Sequence, residues 1–151
     1  MLDFYNNFIK LTRNKDLYKN FSTNDDFSDR LKFLLIHLAF FFKSFKENKN
    51  SKQLQEIYDF TFKQLELSIR EIGYGDQSIN KKMKDYLNLF HALLDKIHFW
   101  DNLTEIEKID IIDDLIDKST KNEFLVKYFD NFKLNLSKYN LNSFLKSVIK
   151  L

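Results

Sequence analysis

The chain has 151 residues, with 24 Lys and Arg against 22 Asp and Glu for a formal net charge of +2, no cysteine, no proline and two glycines. These figures exclude disulfides, thiolate metal sites and thiol catalysis, argue against a many-stranded sheet with its punctuated turns, and supply no basic field for nucleic acid, so no direct DNA binding is expected. With seventeen Phe to fill a core, the expected fold is all-α, one domain built as a bundle of about seven helices.

Leu2, Tyr5, Phe8, Ile9 and Thr12 recur at helical spacing and predict a first helix over about residues 2–13, followed by a turn around Leu17, Tyr18 and Phe21. Ser22, Thr23, Asn24 and Asp25 are competent N-caps, and Asp25 and Asp26 suit the positive end of a helix dipole. The helix they open runs to about residue 47. From residue 31 to 42 only Lys32 and His37 are polar, so this helix is apolar nearly all round and is expected at the centre of the bundle. That run falls short of the roughly 20 residues a membrane span needs, and the N-terminus shows no secretory signal. A cytoplasmic protein is expected.

Past a polar loop at 48–51, Leu54, Ile57, Tyr58, Phe62, Leu65, Ile69 and Ile72 trace one helical face. It must stop at Gly73, the residue type that closes a helix in a left-handed conformation. Gly75 permits a second unusual backbone angle, and Asp76 or Ser78 can cap the next helix, whose apolar face is Ile79, Met83, Tyr86, Leu87, Phe90, Leu94 and Ile97. Residues 51–98 thus read as a helical hairpin joined by Gly73-Tyr74-Gly75-Asp76. Thr104 and Glu107 form a capping box for a helix with Ile106, Ile109, Ile112 and Ile116 on its apolar side. Phe124, Leu125, Tyr128, Phe129 and Phe132 predict a further helix, and Phe144, Leu145, Val148 and Ile149 a terminal one.

Candidates for chemistry are few. His91 and His98 lie seven residues apart, about 10 Å by helix rise, too far to share one ion unaided; no metal site and no cofactor is expected. His37, amid apolar neighbours, reads as a core histidine holding a backbone carbonyl or a carboxylate. The adjacent pairs Asp25 with Asp26 and Asp113 with Asp114 diverge on a helix instead of sharing a proton, and read as caps and solvated surface. No nucleophile elbow and no Gly-rich phosphate loop occurs, so catalysis has no positive support. The turn at Gly73 to Asp76 has three readings: a tight interhelical turn, an exposed part of a partner-binding surface, or an anion cup completed by Lys81, Lys82 and Lys84, which Asp76 would oppose. Glu66 precedes Arg70 by four residues, the favourable order for a helical ion pair. Arg70 and Glu71 either brace the turn or present charge to a partner.

Ile57-Tyr58-Asp59, Phe62, Glu66, the run from Ile69 through Arg70-Glu71-Ile72-Gly73-Tyr74-Gly75 to Asp76, and then Ile79, Lys81 and Lys84 resemble the signature of the ubiquinol-cytochrome c chaperone family, without gaps over about 28 residues. Phe4-Tyr5, the segment from Asp25 to Arg30, and Leu35-Ile36-His37-Leu38 extend the resemblance, so that it covers about residues 4 to 100. The chain departs from the family pattern at Asn24, Asp29, Asn80 and His91-Ala92, which touch loops and packing; little is recognisable after residue 101. The resemblance implies an assembly factor for the cytochrome bc1 complex, with no catalytic residue and no cofactor. Its partners would be proteins, newly made cytochrome b or the translating ribosome, met at the inner face of a membrane, or in the mitochondrial matrix in a eukaryote. His37, Asp59, Phe62, Arg70, Glu71, Gly73, Gly75, Asp76, Lys81 and Lys84 are the signature or partner-binding residues it implies. The competing readings are a helical adaptor for a soluble partner, and a small enzyme or anion-binding protein that uses the glycine turn.

Overall fold

The computed structural model describes residues 1–18, 27–116 and 122–145. These form seven α-helices and, among the described residues, no strand: α1 (Leu2–Thr12), α2 (Phe27–Ser44), α3 (Ser51–Glu71), α4 (Asp76–Ile97), α5 (Glu105–Leu115), α6 (Asn122–Leu136) and α7 (Leu141–Leu145), with short 3-10 turns at Lys15–Tyr18, Asn48–Asn50 and Trp100–Asn102. Phe21, the expected caps at 22–26, and Val148 and Ile149 fall outside the described residues.

Why α2 sits at the centre is visible in three consecutive rings. Adjacent residues on a helix point about 100° apart, so Phe40, Phe41 and Phe42 face three different neighbours. Phe40 meets Trp100 edge-on at 5.1 Å and stacks on Phe129 of α6 at 5.2 Å. Phe41 packs on Phe4 and Phe8 of α1, at 5.0 and 5.3 Å, and Phe42 on Phe90 of α4 at 5.5 Å. Phe45 then meets Phe144 of α7 at 5.6 Å. Such edge-to-face contacts suit the ring quadrupoles and add to the gain from area burial. Each side of α2 is therefore covered by a different element, and residues 33–36 and 38–41 are almost completely buried. Outside this layer, α3 lies on α4 through Tyr58 and Phe62 against Phe90, and on α1 through Phe60 against Tyr5.

His37, polar in the apolar middle of α2, is fully buried and fully used. Its Nδ1 is 2.6 Å from the Phe33 carbonyl and its Nε2 is 2.8 Å from the Tyr128 hydroxyl. A carbonyl only accepts, so Nδ1 carries the proton and donates to Phe33; the bare Nε2 of the neutral ring then accepts from Tyr128. Burial holds the His37 pKa down to about 4, opposed in part by the carbonyl bond, and pushes that of Tyr128 up to about 12. His37 is thus a neutral core histidine that ties α2 to α6.

The helix ends follow local chemistry. At the start of α5 the Glu107 N–H donates to Thr104 Oγ1 at 3.2 Å, while the Thr104 N–H donates to Glu107 Oε1 at 3.0 Å; both halves of the capping box are made. α2 ends at Ser44, short of residue 47, and the polar loop after it is a 3-10 turn that turns inward: buried Asn50 donates its side-chain amide at 3.0 Å to the Phe45 carbonyl, which also accepts the Glu47 N–H at 2.8 Å. The turn at Trp100–Asn102 fastens three helices. Asp101 receives Lys43 of α2 and Lys133 of α6, and the Trp100 indole N–H donates to Asp130 of α6 at 2.7 Å, which also takes Lys108 of α5 at 3.2 Å.

On α5 and α6, residues expected on an apolar face lie outside the core. Ile106 is 72% exposed, because α5 docks through its far end, where Ile112 and Ile116 are buried and Ile109 is only partly so. Phe124 is exposed in the first turn of α6, whose inward face is Leu125, Val126, Phe129, Phe132 and Leu136.

Replacing Phe129 by Ala removes the ring stacked on Phe40 and is expected to destabilise the fold by about 3–5 kcal/mol, measurable in urea denaturation. Acid provides a second test. A group whose folded pKa of about 4 lies below its ordinary 6.5 binds its proton more readily in the unfolded chain, so stability is complete above pH 6.5 and falls as pH drops toward 4, by roughly 3 kcal/mol in all. His37→Gln should flatten the difference in urea midpoint between pH 7 and pH 4.5, and an unchanged difference would remove His37 as its source.

Candidate functional site

The α3–α4 hairpin ends in a short turn whose geometry is set by one glycine. Gly73 has φ +103°, a conformation that costs any residue with a Cβ, and its N–H donates to the Arg70 carbonyl at 3.0 Å, capping the end of α3. Gly75 leaves the angle it permits unused: its φ of −73° and ψ of 162° are ordinary extended backbone, so it supplies no second unusual angle. Neither Asp76 nor Ser78 caps α4. Gly75 itself is the N-cap, and its carbonyl accepts the first helical bond from Ile79 at 3.0 Å. Ile69 and Ile79, fully buried on either side, pin the two helix ends to the core.

What Asp76 does instead is close an ion-pair bridge. Arg70 Nη1 lies 2.7 Å from Asp76 Oδ1 and Nη2 lies 3.2 Å from Glu66 Oε1, so one guanidinium links the last turn of α3 to the first of α4. Asp76, then Glu66, raises the Arg70 pKa, and the hydrogen bond from Arg70, helped by Lys63, lowers that of Glu66. All three groups are solvent-facing, so the bridge orders the turn more than it stabilises the protein. Tyr74, at the tip, is held by a neighbour that the pattern of lysines did not single out: the Lys82 ammonium lies 4.5 Å from the centre of its ring. Ile72, expected on the buried face of α3, is 51% exposed because it stands one residue past the helix end, and Leu67 and Tyr74 are exposed with it. The tip therefore offers three apolar side chains beside Glu71, Arg70 and Asp76.

An anion cup is a poor match to this arrangement. A Cβ at Gly73 or Gly75 would meet nothing within 4 Å, so the backbone encloses nothing, and the turn's own cation is already shared between two carboxylates. Lys81 and Lys84 are exposed on α4, and among the described residues neither makes an ion pair with the turn.

A family model for ubiquinol-cytochrome C chaperone matches residues 19–98, 80 of the 151. The chain belongs to that family. The match spans α2, α3, the turn and α4; it reaches neither Phe4-Tyr5 nor the helices after His98. No curated protein and no solved structure matches the chain. The residues expected from the sequence as signature or partner-binding positions fall into two groups in the structure. His37 and Phe62 are buried, in the α2–α6 link and against Phe90 respectively, and serve packing. Asp59, Arg70, Glu71, Gly73, Gly75, Asp76, Lys81 and Lys84 are exposed. Of these, Arg70, Glu71, Gly73, Gly75 and Asp76 gather at the tip, while Asp59 lies far back along α3, accepting from Gln55 at 2.9 Å.

His91 and His98 are both exposed; His91 Nε2 lies 3.2 Å from the Tyr58 hydroxyl. Among the described residues no three His, Asp or Glu side chains converge as a metal site.

The two glycines are expected to respond differently to substitution. Gly73→Ala forces a side chain into a left-handed backbone and should cost roughly 1–2 kcal/mol, whereas Gly75→Ser, at an N-cap with ordinary angles, should be neutral or stabilising. Urea denaturation of the two variants compares them directly; equal losses would contradict the geometry.

Proposed function

We propose that the protein is a non-catalytic assembly chaperone that holds newly made cytochrome b during biogenesis of the cytochrome bc1 complex, working at the inner face of the membrane as one helical domain. The observation that carries this reading is the family match over residues 19–98, the segment that builds the central helix and the hairpin. The family's description names ubiquinol-cytochrome C chaperones, whose partners are proteins, and cytochrome b is the membrane subunit that such assembly must stabilise before the complex closes around it. Among the described residues no helix is long and apolar enough to cross a membrane, so contact with a membrane client would be made from the surface.

The hairpin tip supports the choice of docking site. Arg70 ties its two helices together, and the tip is mixed in character, with Leu67, Ile72 and Tyr74 exposed beside a charged cluster. Such a patch suits a partner with an apolar segment and polar flanks better than it suits a small ligand.

Tagged protein isolated from solubilised membranes should bring down cytochrome b, and loss of the gene should lower assembled bc1 complex. Arg70→Ala should weaken capture by about tenfold while leaving the helical signal and thermal midpoint nearly unchanged, because the bridge is exposed. Normal bc1 levels without the gene, or capture of soluble proteins alone, would refute the reading.

A further inference from the structure

At the base of the hairpin, away from its tip, α2, α3 and α4 leave an open cleft of about 380 Å³ between them, at the small end of the range for ligand sites and wide enough for one ring. Its walls are aromatic: Phe42 and Phe90 meet edge-on at 5.5 Å, and Tyr58 lies 6.0 Å from Phe90. Leu54 and Leu94 complete the apolar lining, and among the described residues no Lys, Arg, Asp or Glu lines the cleft. Its polar groups are Ser51, Gln55 and a bonded pair, the Tyr58 hydroxyl and His91 Nε2, 3.2 Å apart. We infer that this cleft binds the ring of an uncharged quinone, held among Phe42, Tyr58 and Phe90 with one carbonyl hydrogen-bonded to the pair of Tyr58 and His91.

That pair has one donor to spare whichever way its protons lie. A phenol carries one O–H and a neutral imidazole one N–H, and the bond between them uses one of the two. If the Tyr58 hydroxyl donates to Nε2, the Nδ1–H of His91 is left over; if Nε2–H donates, the hydroxyl proton is left over. Burial, with Asp59 beside it, raises the Tyr58 pKa, so the phenol keeps its proton. The Gln55 amide is already committed to Asp59 at 2.9 Å. A ligand must therefore bring an acceptor, and it must be uncharged, because no ionised side chain in the lining would balance a charge taken out of water. A quinone is planar, offers carbonyl acceptors, carries no donor that would go unsatisfied, and has an electron-poor ring drawn to the negative faces of aromatic side chains. A hydrocarbon ring would fill the space but leave the spare donor idle. His91 is one of the positions where the chain departs from the family pattern, so the pair is no part of the family signature. The cleft lies at the far end of the hairpin from the Arg70 bridge and does not depend on which client protein is held.

The test titrates the full isotope-labelled chain with duroquinone, whose fully substituted ring does not alkylate side chains, and follows backbone amide shifts. Saturable shifts centred on Leu54, Tyr58, Phe90 and His91 are expected. Para-xylene, a methylated ring without carbonyls, should bind more weakly by about fivefold or more, the effect of one hydrogen bond. Tyr58→Phe combined with His91→Phe keeps a ring at both positions and removes both donors, so it should bring the two ligands to about equal affinity. Should that variant misfold, Ser51→Trp, from an exposed position on the rim at the start of α3, should fill the cleft and abolish the shifts. Absence of saturable shifts, shifts centred elsewhere, equal binding of the two ligands by the unaltered chain, a preference that persists in the folded double variant, or binding that survives Ser51→Trp would each overturn the assignment.

Discussion

Everything in this fold depends on one helix having no polar face. A surface helix needs cover on one side; α2 presents Phe40, Phe41 and Phe42 in three directions and must be enclosed. That requirement recruits α1 through Phe4 and Phe8, α4 through Phe90, α6 through Phe129 and α7 through Phe144. The family match ends at residue 98, so it does not include every element that covers α2. Three of the walls around α2, namely α1, α6 and α7, come from outside it, and without them the aromatic run would face water.

Enclosing a histidine in such a helix sets a further condition. A buried polar ring must find partners for both nitrogens, or the desolvation penalty outweighs the packing. His37 meets it with one bond inside its own helix and one to Tyr128 on α6. This polar pair thus joins the family-matched part to the C-terminal part. Because a histidine pair is directional where ring packing is not, it also specifies how α6 is rotated against α2.

With α2 and its cover settled, the outer hairpin is free to carry recognition. Its tip is ordered by a left-handed glycine, an arginine shared by two carboxylates and a tyrosine under a lysine. The ion pairs and the cation–ring contact contribute little to global stability, since they face solvent. They hold a mixed apolar and charged surface in one shape, which lowers the ordering cost of binding another protein.

How much was legible beforehand divides along the range of the interactions. Sequence alone determined the helices, the all-round apolar character of α2, the capping box at Thr104 and Glu107, and the stop at Gly73. Each depends on residues within a turn or two of one another, where spacing and side-chain type suffice. The same locality let the run from Ile69 to Asp76 disclose the family. Tertiary structure alone decided that Asp76 bridges to Arg70 instead of capping α4, that Gly75 is an ordinary N-cap, and that Lys82 rather than Lys81 or Lys84 attends the turn. It also decided that Tyr128 is the partner of His37, 91 residues away, and that Ile72, Ile106 and Phe124 face water. In each case the outcome hangs on which neighbour lies across the gap. Periodicity shows that a residue belongs to an apolar face, but only the docking of whole helices decides where along its length that face meets a partner.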